Sequence, residues 1–343
     1  MNIAIAGKKI GSEIANIIGI NDLLLKIKYS GKVVILTYHR VINTGDVEEC
    51  MQSGMYVETK TFEKQLKFIK KNFNNIPISE IPFVIHKGRQ RNGNDGKAFV
   101  VLTFDDGWAD FYKNAYPLIK KENMYATVFL PTNYIDSNNM FWTDRIGYLI
   151  SRRIEDIHLK ESKNGIIRDM ERLTGNTGTK IENSIKIMKN LTTDEIQDTI
   201  TTLCDRWKIT FDKTNRAFLS WDEVRDMYKS GNIMIGSHTE NHPILTNLKE
   251  AHVLQELSNS MEQLMGKGVV GRSFIPFSYP NGDYNDRIVE MVKRAGYNLA
   301  VTTKNGWNIP AVEADLFRLR RISIHQDMTS TESMFSSRIL NII

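Results

Sequence analysis

Short apolar runs recur along this chain, and several of them stop at residues that can do chemistry. "KVVILTY" runs into His39, "AFVVLTF" into Asp105 and Asp106, "NIMIGS" into His238, "SFIPFSYP" into Asn281, and "RLRRISI" into His325. Runs that are apolar throughout are what strands look like when both faces of a sheet are covered. Segments of helical period lie between them. From about Thr61, Phe62, Leu66 and Ile69 share one face, and residues 248 to 265 and "DRIVEMVKRAG" read as further helices. Strands alternating with helices specify a parallel sheet wrapped by helices. About seven such strands predict an α/β fold of the (β/α) barrel type, in which the C-terminal ends of the strands meet around one mouth.

Residues from about 138 to 219 break that rhythm. "DRIGYLISRRIEDIHL", "IIRDMERL", "TKIENSIKIMKNL" and "TDEIQDTITTLCDRW" are helical and heavily charged, and predict a helical insertion in a barrel spanning 31–343. Ahead of the barrel, Ile10, Ile14, Ile17, Ile18 and Leu24 are spaced for an amphipathic helical segment over 1–30. "IAIAGKKIGSEIA" lacks the middle glycine of G-x-G-x-x-G, so Gly7 and Gly11 do not make a dinucleotide site. No basic leader with an unbroken apolar core begins the sequence. The expectation is a cytoplasmic protein without a transmembrane span, with at most peripheral membrane contact. The net charge of +5 is dispersed, without a basic block interleaved with aromatics, which argues against a nucleic-acid partner. Cys50 and Cys204 are too few for a disulfide framework or a four-thiolate metal site, and are expected to be free thiols.

Two strand ends carry the chemistry. "LTFDDG" puts Asp105 and Asp106 after one strand, and "GSHTENHP" puts His238 and His242 after another. Taken alone, an Asp-Asp-Gly reads as a helix cap and turn, and one strand-end histidine reads as a hydrogen-bonded structural residue. Together, one carboxylate and two imidazoles make a three-ligand site with an open position for water, and the second carboxylate is left to act as a base. Ser237 and Thr239 flank the histidine pair and are placed to bond its outer shell.

"TFDDG" and "HTENH", with "LTYHRV", "NAYPLIKKENMYATVFL", "FWTDRI", "LSWDEVRDM", "FSYPNGDY" and "GYNLAVTT", resemble the polysaccharide deacetylases, the NodB-homology group of carbohydrate esterase family 4. The resemblance spans roughly residues 32 to 325, apart from much of the insertion. It implies a distorted, incomplete (β/α)7-type barrel and a hydrolase that removes acetyl groups from N-acetylated amino sugars. It implies Asp105 as general base and Asp106, His238 and His242 as ligands of a divalent metal. Zn2+ is the expected ion, although Co2+, Ni2+ or Fe2+ would accept the same donors.

The third motif of that family departs from its usual Arg-x-Pro-Tyr-Gly. In "SYPNG", Ser278 stands in the arginine's place and Asn281 in the tyrosine's. The resemblance implies that the Asn281 N–H stabilises the oxyanion. The job of orienting the base falls to another residue, with Arg145 and Arg321 as candidates, each of which reads equally as an ordinary ion pair. Two histidines compete as general acid. His39 in "YHRV" is similar to the early Tyr-His of the biofilm-polysaccharide branch, and His325 in "ISIH" is similar to a late family histidine. His39 is preferred.

Trp108, Tyr112, Trp142, Tyr279 and Trp307 are candidate sugar-contacting residues, with Arg145, whereas Trp221 reads as core. Without an export signal the expected substrate is an acetylated oligosaccharide, polysaccharide, or lipid- or nucleotide-linked precursor. Another amide hydrolase on the same barrel, and a catalytically inactive carbohydrate-binding protein, are the alternatives.

Overall fold

The computed structural model describes residues 28–45, 53–87, 96–153, 162–211, 216–271, 273–311 and 314–342. The expected N-terminal amphipathic segment, up to residue 27, and Cys50 lie outside them. The chain divides into two compact units, one of residues 1–44, 54–137 and 218–343, the other of 45–53 and 138–217.

The first unit is built on the strands β1 (Val33–Tyr38), β2 (Arg40–Ile42), β3 (Tyr56–Glu58), β4 (Phe73–Asn75), β5 (Ala98–Phe104), β6 (Ala126–Leu130), β7 (Ile233–Ser237), β8 (Pro276–Ser278), β9 (Leu299–Val301) and β10 (Ile322–Ser323). Eight of them form one sheet in the order β10-β1-β5-β6-β7-β8-β9, every pair parallel, with β4 beside the first half of β5 and β6 beside its second half. β2 and β3 pair separately. The two edges of the sheet are joined by irregular chain. Residues 316–321 hydrogen-bond to residues 300–304, from Ala300 N–H to Leu316 O through Arg321 N–H to Lys304 O, and then enter β10 beside β1. The barrel is therefore distorted and incomplete in its strand pairing.

Side-chain parity sorts this barrel into an inside and an outside. Val33 and Ile35 of β1 and Phe99 and Val101 of β5 cluster with Phe129, Leu299, Val301 and Leu319, a set drawn from across the sheet. Ile78, Ile81, Val84 and Ile85 join the same cluster. The alternate residues Val34, Leu36, Val100 and Leu102 pack with Phe62, Leu66 and Ile69 of the helix Thr59–Asn72, the face expected from its spacing. Gly236 serves the interior. A Cβ there would lie 2.5 Å from the Phe129 ring and 2.8 Å from the Pro276 carbonyl, so only glycine lets Phe129 fill the space.

Parity also carries polar groups inward near the mouth. Thr37 and Thr103 follow Ile35 and Val101 on the same face, and the Thr103 hydroxyl donates to Leu36 O at 2.8 Å. Asp105 comes next in that row. Its N–H still donates to Tyr38 O, so β5 delivers it in register.

The second unit is helical. Trp142–Arg152, Gly165–Glu171, Thr177–Met188 and Thr193–Trp207 surround their own core, which includes Ile146, Leu149, Ile167, Met170, Met188, Ile200 and Leu203. Asn164, Asn176 and Thr192 cap helix starts, Thr192 in a reciprocal box with Glu195. Arg206 holds Glu171 through two hydrogen bonds of 3.0 Å, and the Trp207 indole N–H donates to the same carboxylate. Phe218 and Leu219, inside the range expected for the insertion, group with the barrel. Leu219 N–H donates to Gly107 O, and Phe218 stacks on Trp108. No helix among the described residues is long and apolar enough to cross a membrane.

Candidate metal and catalytic site

The site is assembled at the ends of β5 and β7. Asp106 (φ 75°) and Gly107 (φ 67°) turn the chain sharply after β5, and Thr239 (φ 69°) and His242 (φ 56°) do the same after β7. Left-handed backbone at non-glycine residues costs about 1–3 kcal/mol each, so the surroundings must enforce it. The β7 turn is held on both sides. His238 N–H donates to Leu130 O, while Thr239 O and Glu240 O accept from the N–H groups of Thr132 and Asn133. From the helix Glu250–Gly266, the Glu256 carboxylate accepts from Glu240 N–H at 3.0 Å and from Asn241 N–H at 2.8 Å. Thr239 Oγ1 accepts from His242 N–H at 3.0 Å. Ser237 bonds Ser260 and Tyr297. The flanking hydroxyls thus help to fix the loop.

Three atoms able to ligate an ion come together. Asp106 Oδ1 lies 3.5 Å from both His238 Nε2 and His242 Nε2, and the two nitrogens are 3.1 Å apart. A tetrahedral ion with bonds of about 2.0–2.1 Å to nitrogen and oxygen needs ligand separations of about 3.3 Å. The triangle therefore fits such an ion. Its protonation fits too. His238 Nδ1 lies 2.7 Å from Ser278 O, a group that only accepts, so Nδ1 carries the proton and Nε2 keeps its lone pair for a metal. Burial pushes both imidazoles down to about 4, helped at His238 by the neighbouring His242, so both are neutral at pH 7, the form in which an imidazole can ligate a metal.

Asp105 is anchored differently. Arg321, 1% exposed, grips it through Nη1 to Oδ1 at 2.8 Å and Nη2 to Oδ2 at 2.7 Å. The guanidinium also donates to Ser278 Oγ, Thr103 Oγ1 and Thr302 O. Burial raises Asp105 and is the largest single influence, but the charge and hydrogen bonds of Arg321, together with His238 and His39, outweigh it and hold the carboxyl well below the usual carboxylate range. Of the two candidate arginines, Arg321 is the one that grips Asp105, and the Ser278 hydroxyl joins the same cluster. Arg145 donates instead to Gln197, and its guanidinium lies 4.9 Å from the Phe211 ring centroid, all within the helical unit.

The two candidate acids differ in their surroundings. His39 lies close enough to both Asp105 and His242 to act on them electrostatically. His325 Nδ1 pairs with Asp327 at the start of a short helix. Asn281 sits at φ 57° in the turn Pro280–Gly282, its side chain bonded to Asp283. The aromatic candidates scatter. Tyr279 is 1% exposed with its hydroxyl on Phe317 O, so it is a core residue, and Trp307 likewise stacks on Tyr29 and donates to Ile339 O. Tyr112 stacks on Tyr116 and donates to Asp226. Trp142 packs on the core of the helical unit. Trp108 is buried with its N–H on Asp106. Arg40 and Asp110, which pair at 2.8 Å beside Trp108, were not expected, although "YHR" sets Arg40 directly after His39.

The polysaccharide deacetylase family matches residues 92–300. The chain belongs to this family. Its homologues are carbohydrate de-N-acetylase hydrolases, the enzyme class expected from the motifs. The chain is similar to YxkH of Bacillus subtilis (strain 168), at 21% identity over 90% of this chain and 76% of that protein. It is also similar to the poly-beta-1,6-N-acetyl-D-glucosamine N-deacetylase of Staphylococcus aureus (strain MRSA252), at 26% identity over 54% of this chain and 65% of the relative. Among solved structures, the Streptococcus pyogenes deacetylase PplD in complex with acetate superposes with a TM-score of 0.56 and 21% identity, covering 90% of this chain and 97% of that one. That likeness supports the barrel fold.

Proposed function

We propose that this protein is a metal-dependent N-deacetylase acting on an N-acetylated amino-sugar polymer of the poly-β-1,6-N-acetylglucosamine class. The observation that carries the reading is the Asp106–His238–His242 triangle, with Asp105 held beside it by Arg321. The staphylococcal relatives support the substrate class.

Asp106, His238 and His242 would hold the metal, with Zn2+ as the ion and Co2+, Ni2+ or Fe2+ as substitutes for the same donors. A cation so held supplies a Lewis acid that brings the pKa of a water near 7. That acidity matters because Asp105, with its depressed pKa, is always ionised at working pH but is a weak base. Asp105 takes the proton as the water oxygen bonds to the acetyl carbon. The Asn281 N–H donates to the carbonyl oxygen as charge develops there. His39 then protonates the nitrogen as the C–N bond breaks, releasing acetate and a free amine.

The test is acetate release from β-1,6-linked N-acetylglucosamine oligomers by the wild type, His39→Asn and His325→Asn. Loss of a general acid costs about 10^2–10^4-fold. That loss is expected in kcat for His39→Asn, with His325→Asn near wild type. The reverse pattern would move the acid to His325, and no acetate from the wild type on any N-acetylated oligomer would reject the reading.

A further inference from the structure

The structure assigns Trp108 a positioning role: its indole N–H fixes the Asp106 carboxylate so that one oxygen, Oδ1, faces the two imidazoles. This rests on the metal-site reading above. The carboxylate's two oxygens are divided. Oδ1 lies 3.5 Å from His238 Nε2 and from His242 Nε2, while Oδ2 accepts from Trp108 Nε1–H at 3.2 Å. A carboxylate with one oxygen on an N–H donor is limited in its rotation, and the other oxygen is presented at a defined angle. Asp106 sits on a left-handed backbone (φ 75°) in the turn that follows the strand, so contacts made from that turn set the direction of its side chain.

Trp108 is itself held from both faces. Phe218 stacks on it with centroids 4.8 Å apart and planes 24° from parallel. The Arg40 guanidinium lies 4.6 Å from its ring centroid. Arg40 donates to Asp110 Oδ2 at 2.8 Å, and Asp110 Oδ1 accepts from Val41 N–H at 3.0 Å, which ties the clamp to the chain leaving β1. A cation over the indole draws electron density from the ring, and so makes the N–H a better donor to the carboxylate. Arg40 follows His39 directly, so the segment that carries the proposed acid also braces a ligand of the proposed metal. At 6% exposure Trp108 has little surface for a sugar, which replaces the wall role expected from sequence.

The test is the Zn2+ affinity of the full chain, stripped with chelator and titrated against a chromophoric competitor, for the wild type and Trp108→Phe. Phenylalanine keeps a ring between Phe218 and Arg40 and removes only the donor. The expected result is about one Zn2+ per wild-type chain and about tenfold to hundredfold weaker binding by the variant. A purely structural tryptophan would lower the metal-free melting temperature and leave the affinity ratio near one. Equal affinities overturn the inference and leave the metal site standing, whereas a wild type that takes no Zn2+ overturns both. If the variant does not fold, wild-type protein labelled at its tryptophan indole nitrogens decides. With five tryptophans in the chain, an indole N–H resonance that shifts on adding one equivalent of Zn2+ supports the assignment, and none shifting overturns it.

Discussion

Arg321→Leu is expected to destabilise the barrel by about 3–5 kcal/mol, because it strands the Asp105 carboxylate, 4% exposed, without its counter-ion. In a chain of this size that is a fall of about 4–7 °C in melting temperature. Thermal melts across pH separate this cause from simple loss of packing. In the wild type the folded-state pKa of Asp105 is depressed. Its contribution to stability is therefore present above the unfolded value of about 3.9, and is lost as pH falls through the lower folded value. In the variant the upward push of burial loses its main opponent, so Asp105 can escape its penalty by taking a proton. The deficit should be largest at neutral pH and shrink in acid. Deacetylation should fall with it, since the carboxylate loses both restraints on its orientation. A deficit that does not vary with pH would mean that Arg321 acts through packing alone.

His238→Ala is expected to abolish metal retention and acetate release while leaving a folded chain. Removing an outer-shell partner of a metal ligand costs about 10–100-fold in affinity, and removing a ligand must cost more. The structural penalty is separate. His238 is 2% exposed and bonded to Ser278 O, so truncating it leaves a cavity and an acceptor without its donor. Loss of that hydrogen bond alone costs about 1–3 kcal/mol. Melting the metal-free forms of wild type and variant measures this part, and repeating the melts with Zn2+ measures the other. Zn2+ should raise the wild-type melting temperature and leave the variant unmoved. An equal rise in both would place the ion elsewhere.

What could be read in advance followed from local pattern. β5 matches "AFVVLTF" residue for residue, because seven consecutive buried side chains announce a strand covered on both faces. The grouping of Asp106, His238 and His242 was equally legible, since all three follow closely on two such strands, β5 and β7. The misread parts depend on contacts distant in sequence. "RLRRISIH" reads as one strand, yet only Ile322–Ser323 pair with β1, and the preceding residues turn to bond the chain after β9. That turn carries Arg321 into the barrel, while Arg318 pairs with Asp286 and Asp315 on the outside. Nothing local distinguishes the two arginines. Trp307 and Tyr279 look like sugar platforms until Tyr29, Ile339 and Phe317 are seen to cover or bond them. The helix Glu332–Ile339 escaped notice because its buried face includes Ser333, Ser336 and Ser337, which blur the apolar period.

In the proposed function, Asp106, His238 and His242 hold an ion that Asp105 uses to hydrolyse an acetamide. The most direct measurement is metal content and acetate release on the same preparation, before and after chelation and after adding back Zn2+. The expected result is about one metal per chain, acetate release that disappears with the metal and returns with it, and an Asp105→Asn protein that keeps the metal but releases no acetate. Acetate release that survives complete removal of the metal would contradict it.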